Sequence, residues 1–214
     1  VPTITNYSTL VQSILDFSHR GDLASYVDYF IQNAQEKIND DIFAENFGNG
    51  IRPMEATFTG TITNGTVGVP SDWLSPKLLE VVDSGGNRIS GLAFISPEQM
   101  YTTYPNRQAS GIPAYIAREG SSFIFGPFPD SGYNVAGVYY AAAPLLTNAA
   151  PTNWMVTQAP TLLLAACLIK SARFLKDPDS LGMWQQEYAD KLESLILRDK
   201  AERWSGGNMA IQAS

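Results

Sequence analysis

Apolar residues recur at steps of three and four at both ends of the chain and alternate with polar ones through its middle. Over residues 7–18, Tyr7, Leu10, Val11, Ile14 and Phe17 share one face of a short helix. Gly21 breaks the pattern. A longer helix is predicted over 23–44, with Leu23, Val27, Phe30, Ile31, Ala34, Ile38 and Ile42 on one side, Gln35, Glu36, Lys37 and Asp40 on the other, and Asp22 as its N-cap. Near the C-terminus, residues 160–175 are apolar on almost every side, the pattern of a helix buried by several neighbours. Asp177-Pro178-Asp179-Ser180 supplies a stop and a restart, with Asp177 as cap and Pro178 where its missing N–H costs nothing. Leu181, Trp184, Tyr188, Leu192, Leu195 and Ile196 then form the inner stripe of a second helix, folded back on the first as an antiparallel hairpin. Its outer face carries Glu187, Asp190, Lys191, Glu193, Arg198, Asp199 and Lys200, a solvated surface with Glu187 and Lys191 spaced to pair.

Between these ends, strands begin near Phe58 in a Thr-rich alternating run. Asn64-Gly65 marks a tight hairpin turn, because both residues accept the positive φ that a type I′ turn requires. Residues 78–82 and 88–92 form a second hairpin around Ser84-Gly85-Gly86-Asn87, and Ser96-Pro97-Glu98-Gln99 starts a short helix. Further strands fit 114–118, 122–125 and 133–140, and residues 143–154 lead back to the helical part. The predicted class is α+β: a helical bundle from residues 1–50 and 151–203, an inserted antiparallel β domain over 51–150, and a flexible C-terminal arm over 204–214.

Composition narrows the chemistry. With 214 residues, 44% hydrophobic and 16% charged, the chain is long and apolar enough to bury a core. Its longest apolar run, residues 162–169, is far short of the roughly 20 residues a bilayer span needs, so no membrane association is expected. The opening VPTITNYSTLVQ lacks the basic-then-apolar order of a secretory signal. One cysteine, Cys167, and one histidine, His19, leave almost nothing for a zinc or iron site, and no calcium loop or phosphate-loop glycine pattern is present, so no cofactor or metal is expected. The net charge of −7 disfavours tight binding to a phosphate backbone, which depends on Lys and Arg.

Each candidate reactive group has a simpler structural explanation. His19 could act as a general base oriented by Asp16 or Asp22, but no nucleophile motif accompanies it and it lies between two helices. Glu36 with Asp40, or Glu187 with Asp190, could mimic the carboxylate pair of a glycosidase, yet their neighbours are polar and a catalytic acid needs burial to raise its pKa. Asn6-Tyr7-Ser8 and Asn64-Gly65-Thr66 match the glycosylation acceptor pattern, and Arg20-Gly21-Asp22 spells an integrin-type tripeptide explained by a helix break and a cap. Trp73, Tyr101, Tyr104, Tyr115, Phe123, Phe125, Phe128, Tyr133, Tyr139 and Tyr140 make the β part aromatic enough for a carbohydrate platform or a protein interface, with about half predicted to point inward.

The order of segments carries more than any one of them. YVDYFIQNAQEKIND, VPSDWL, PAYIAREGSSFIFGPFPD, VAGVYYAAAPLL, NW before a helix and FLKDPDSLGMWQQEYADKL run in the order seen in tailed-phage head-to-tail adaptor proteins, and the chain resembles that family over about residues 20–200. The resemblance implies a structural virion protein with no enzymatic role, forming a homo-oligomeric ring, dodecameric in number. The ring would dock on the portal protein, join a tail or nozzle protein below, and let DNA pass through its channel without specific binding. It also implies a C-terminal arm reaching the portal, with Trp204, Met209 and Ile211 as apolar anchors. A virion-associated peptidoglycan hydrolase, resting on Glu36 or Glu187, and a carbohydrate-binding module are the alternative readings.

Overall fold

The computed structural model describes residues 3–105 and 109–204. The fold class is α+β, and the chain divides into two compact units, one holding the chain up to Met54 and again from Ala143, the other running Glu55–Ala142.

The first unit opens with α1 (Tyr7–Ser18). Its start is fixed by a reciprocal cap: the Asn6 carboxamide oxygen accepts from the Thr9 N–H at 3.0 Å, and the Thr9 hydroxyl accepts from the Asn6 N–H at 3.1 Å. Asn6, a glycosylation candidate by sequence, is thus spoken for as a helix cap. The long helix expected over 23–44 begins later, because Gly21–Tyr26 forms a 3-10 segment and α2 runs Val27–Glu45. Asp22 does not cap it. The Arg20 guanidinium holds the Asp22 carboxylate by two hydrogen bonds of 2.7 Å, a bidentate pairing that occupies both its oxygens and keeps this carboxyl below its usual pKa range.

The apolar stripe of α2 is buried as predicted, but Gln35 lies on the buried side, only 3% exposed. Its Nε2 donates to the Pro144 carbonyl and its Oε1 accepts from the Leu146 N–H, both at 3.0 Å. A primary amide offers one donor and one acceptor side by side, as a peptide group does, so Gln35 replaces a strand partner for the returning connector.

In the second unit the strands are β1 (Glu55–Thr61), β2 (Thr66–Gly68), β3 (Trp73–Val82), β4 (Arg88–Gly91) and β5 (Ala93–Phe94). After α3 (Pro97–Thr103) come β6 (Ser110–Gly111), β7 (Tyr115–Glu119), β8 (Ser122–Gly126), β9 (Phe128–Pro129) and β10 (Asn134–Ala141). One sheet has the order β1-β10-β3-β4, the second β2-β8-β7-β5, and β6 pairs with β9. Asn64 and Gly65 take φ of 53° and 73°, the turn the sequence predicted, closed by a Thr63–Thr66 bridge. The flanking strands do not stay together, however: β1 joins β10 and β2 joins β8, so the turn passes the chain from one sheet to the other.

The expectation of a purely antiparallel domain is corrected at two places, since β5–β7 and β6–β9 are parallel. Parallel neighbours need a crossover, and α3 lies in the connection between β5 and β7. Phe58, Trp73, Leu79, Val135 and Tyr139 from the first sheet meet Val67, Ile116, Phe123 and Phe125 from the second in one core. Ile124, between two core residues on β8, packs with Met100 of α3 and Ala117. β8 is therefore covered on both faces, which is why its sequence is apolar without alternation.

Tyr139 stacks on Trp73, centroids 4.9 Å apart, and its hydroxyl donates to Asp72 at 2.9 Å. Burial, reinforced by that hydrogen bond and the carboxylate charge, pushes its pKa up from 10.0 to about 12. The unfolded chain releases this proton first, so the contribution of Tyr139 to stability is complete below pH 10.0 and is lost as pH rises through about 12. Urea midpoints measured across that window should fall more steeply for the native protein than for Tyr139→Phe; parallel curves would contradict the assignment.

The chain returns through α4 (Trp154–Gln158), a short helix the sequence reading missed, capped by the Asn153 side chain accepting from the Met155 and Val156 N–H groups. α5 (Pro160–Leu175) touches α1, α2, α4 and α6 (Pro178–Trp204), which accounts for the unbroken burial of residues 162–169. Lys176 closes α5 in the left-handed conformation, and the Asp177 carboxylate accepts from the Ser180 N–H at 3.2 Å, as the sequence predicted. On α6, Tyr188, Leu192, Leu195 and Ile196 form the buried stripe.

Candidate interaction surfaces

The residues weighed for chemistry are dispersed. His19 is the left-handed C-cap of α1, and the Asp22 carboxylate that might have oriented it is held by Arg20. Glu36 and Asp40 are both exposed on α2, with Glu36 accepting from Gln32. On α6, Glu187 approaches Lys191 at 3.6 Å, and Asp190 accepts from Gln186 at 2.8 Å. Neither carboxylate pair stands in the apolar enclosure that a catalytic acid needs. Cys167 is buried in α5, and burial pushes its thiol away from the reactive thiolate. Among the described residues no three His, Cys, Asp or Glu side chains stand close enough to hold a metal ion. No described helix is long and apolar enough to cross a membrane.

The aromatic set is divided by the two sheets. Trp73, Phe123, Phe125, Tyr139 and Tyr140 are buried, Tyr104, Phe128 and Tyr133 are half-buried, and Tyr101 and Tyr115 are exposed. Half of the rings that might have formed a sugar platform are core, the fraction expected to point inward, with Trp73, Phe123 and Tyr139 gathered around Phe58 in ring contact.

The end of α6 is fastened where a C-terminal arm would begin. Asp199, 5% exposed, accepts from the Arg52 N–H at 2.9 Å, and its Oδ2 lies 2.7 Å from Arg203 Nε in an ion pair rather than an aligned hydrogen bond. Arg203 also donates to the Gly50 carbonyl at 2.8 Å, and Arg52 to Glu202 at 2.9 Å. Residues 50–52 thus hold the last turn of α6 by charge-assisted bonds spanning some 150 positions of sequence. Asp199, assigned by sequence to the solvated face, is buried because this segment covers it. Trp204, expected as the first residue of the arm, is the last residue of α6; Met209 and Ile211 lie outside the described residues.

Two further features escaped the sequence reading. Phe47 is 90% exposed and adopts φ 53° in the loop after α2. The loop is braced: the Gly48 N–H donates to the Phe43 carbonyl, the Asn46 amide donates to the Asn49 and Gly50 carbonyls, and Asn49 donates back to those of Asn46 and Phe47. Lys200 Nζ stands 5.8 Å from the Phe47 ring centroid. The only signal for it in the sequence is an aromatic set among turn residues, Asn-Phe-Gly-Asn-Gly. The second feature is a cavity of about 130 Å³ between the C-terminal ends of α1 and α5 and the start of α6, with Phe17 and Trp184 edge-to-face in its lining, 5.6 Å apart.

A helix end fastened by residues 50–52 and an exposed aromatic side chain at Phe47 suit a protein that works by contact. No curated protein matches the chain. The sequence model of one family, SU10 adaptor protein, matches residues 5–211. That span is nearly the whole chain and takes in both units. The chain belongs to the SU10 adaptor protein family, a phage head-to-tail adaptor family of structural proteins, as the order of its segments led us to expect.

Proposed function

We propose that copies of this protein form a ring at the head-to-tail junction of the virion, dodecameric in number, docked on the portal protein above and joined to a tail or nozzle protein below. The helical unit, as a bundle, makes the body of the ring, the β unit faces the tail, and the C-terminal arm with Trp204, Met209 and Ile211 reaches the portal. The observation that supports this best is the anchoring of the last turn of α6 through Arg52, Asp199 and Arg203, which gives a following segment a fixed point of departure. A segment that gains its contacts only on docking needs such a point, because the entropy lost on ordering is smaller when one end is already placed. The net charge of −7 suits a channel lining that repels phosphates and lets duplex DNA pass without binding.

The full-length chain should co-purify with purified portal rings, and a version ending at Arg203 should do so at least tenfold less well. Equal capture of the two would remove the arm from this account.

A further inference from the structure

We propose that the Phe47 loop of one copy plugs the cavity between α1, α5 and α6 of the next copy, a head-to-tail contact repeated around the ring. This rests on the reading above that copies adjoin one another in a ring, and it names the surfaces that do so.

The conformation of Phe47 argues for a role in binding. A left-handed backbone costs a residue with a side chain about 1 kcal/mol, and loops that need it use Gly or Asn. Here asparagine and glycine occupy the adjacent positions, yet the left-handed residue is a phenylalanine that is 90% exposed. In its own copy Lys200 Nζ approaches that ring at 5.8 Å, and the ring is otherwise turned to solvent. The bracing by Asn46 and Asn49 holds the ring outward, so little conformational freedom remains to be lost when it docks.

The cavity suits it in size, lining and charge. Its volume of about 130 Å³ is close to the roughly 150 Å³ of an apolar cavity known to accept a benzene ring. Phe17, Leu168, Ala172, Leu175 and Trp184 supply the apolar walls. Ser171, 2% exposed, also lines it, and its hydroxyl oxygen has no hydrogen-bond partner. Asp177 lines the cavity while Lys200 stands beside the ring, so opposite charges accompany the two halves.

The two halves cannot meet within one molecule. Lys200 and Ser180, which mark the two sites, are separated along the straight rise of α6 by about 30 Å. A surface that fits a different surface on an identical copy makes a heterologous contact, and such contacts close into rings when the rotation permits.

The test uses two single-cysteine additions to the full-length chain, Glu45→Cys beside the loop, which leaves the Phe47 ring in place, and Ser180→Cys; the native Cys167 is buried and takes no part. Under mild oxidation, a mixture of the two, alone or loaded on portal rings, should give a mixed disulfide at least tenfold in excess of the disulfides each forms by itself. Phe47→Asp and Ala172→Leu, which spoil the plug and fill the cavity respectively, should each fail to assemble, while their mixture forms a one-to-one pair through the single intact contact. Assembly of both variants at native levels, or absence of the mixed disulfide under both conditions, would overturn the contact. If rings still load on the portal in that case, the adaptor reading stands; if the native chain does not load at all, that reading fails instead.

Discussion

Gly137→Ala is expected to unfold the β unit. Gly137 lies in β10, which is hydrogen-bonded to β1 on one side and β3 on the other. A Cβ added there would stand 2.0 Å from the Leu78 carbonyl oxygen and 2.9 Å from the Leu79 Cα. Both are backbone atoms of the paired strand, so no rotamer change can make room, and relief requires β10 and β3 to part. Losses above about 4 kcal/mol are confined to a few mechanisms, of which a steric conflict with fixed backbone is one. That is comparable with the whole stability of a small domain, about 5–15 kcal/mol. Amide hydrogen exchange should show protection lost across residues 55–142, whereas Gly132→Ala, where the added carbon meets nothing within 4 Å, should leave it intact. A variant at Gly137 with native protection would mean that the strands do not approach as described.

Gln35→Leu should destabilise the helical unit by about 2 kcal/mol, although it replaces a polar side chain with an apolar one of similar size in a buried place. The reason is what the amide leaves behind. Pro144 O keeps a second donor, Asn153 Nδ2 at 2.8 Å, but the buried Leu146 N–H has the Gln35 oxygen as its acceptor. Gln35→Glu retains that acceptor but sets a buried carboxylate against the Pro144 carbonyl, and should lose at least as much at neutral pH. Urea unfolding followed at 222 nm would measure both, and a midpoint for the Leu variant equal to that of the native protein would refute the clip.

Gln35 also shows where reading a sequence stops. A glutamine on the polar side of an amphipathic pattern is solvent-facing unless a distant segment needs it, and residues 144–146 are more than a hundred positions away. Asp199 is the same case, buried because Arg52 lies over it. What could be read were features set locally: the stripes of α1, α2 and α6, the Asp177 cap and the Asn64-Gly65 turn. Features set by the partner of an element were beyond reach. The Thr-rich run after Phe58 reads as a strand, but nothing in it says that β1 pairs with β10 rather than β2. β8 looked like a half-exposed strand because the covering of its second face by α3 depends on a crossover. The cavity was equally out of reach, because it depends on how three helix ends come together.

The pairing of Glu55 with Tyr140, at the first and nearly the last positions of the β unit, has a bearing on descent. The polypeptide leaves the helices and comes back to them at neighbouring points, so a short link from Met54 to Ala143 would close the gap the strands now fill. An insert mounted on such a narrow stem can be traded, enlarged or lost over evolutionary time while the remainder keeps its shape. A lineage of viruses could in this way refit the β unit without redesigning the helical one.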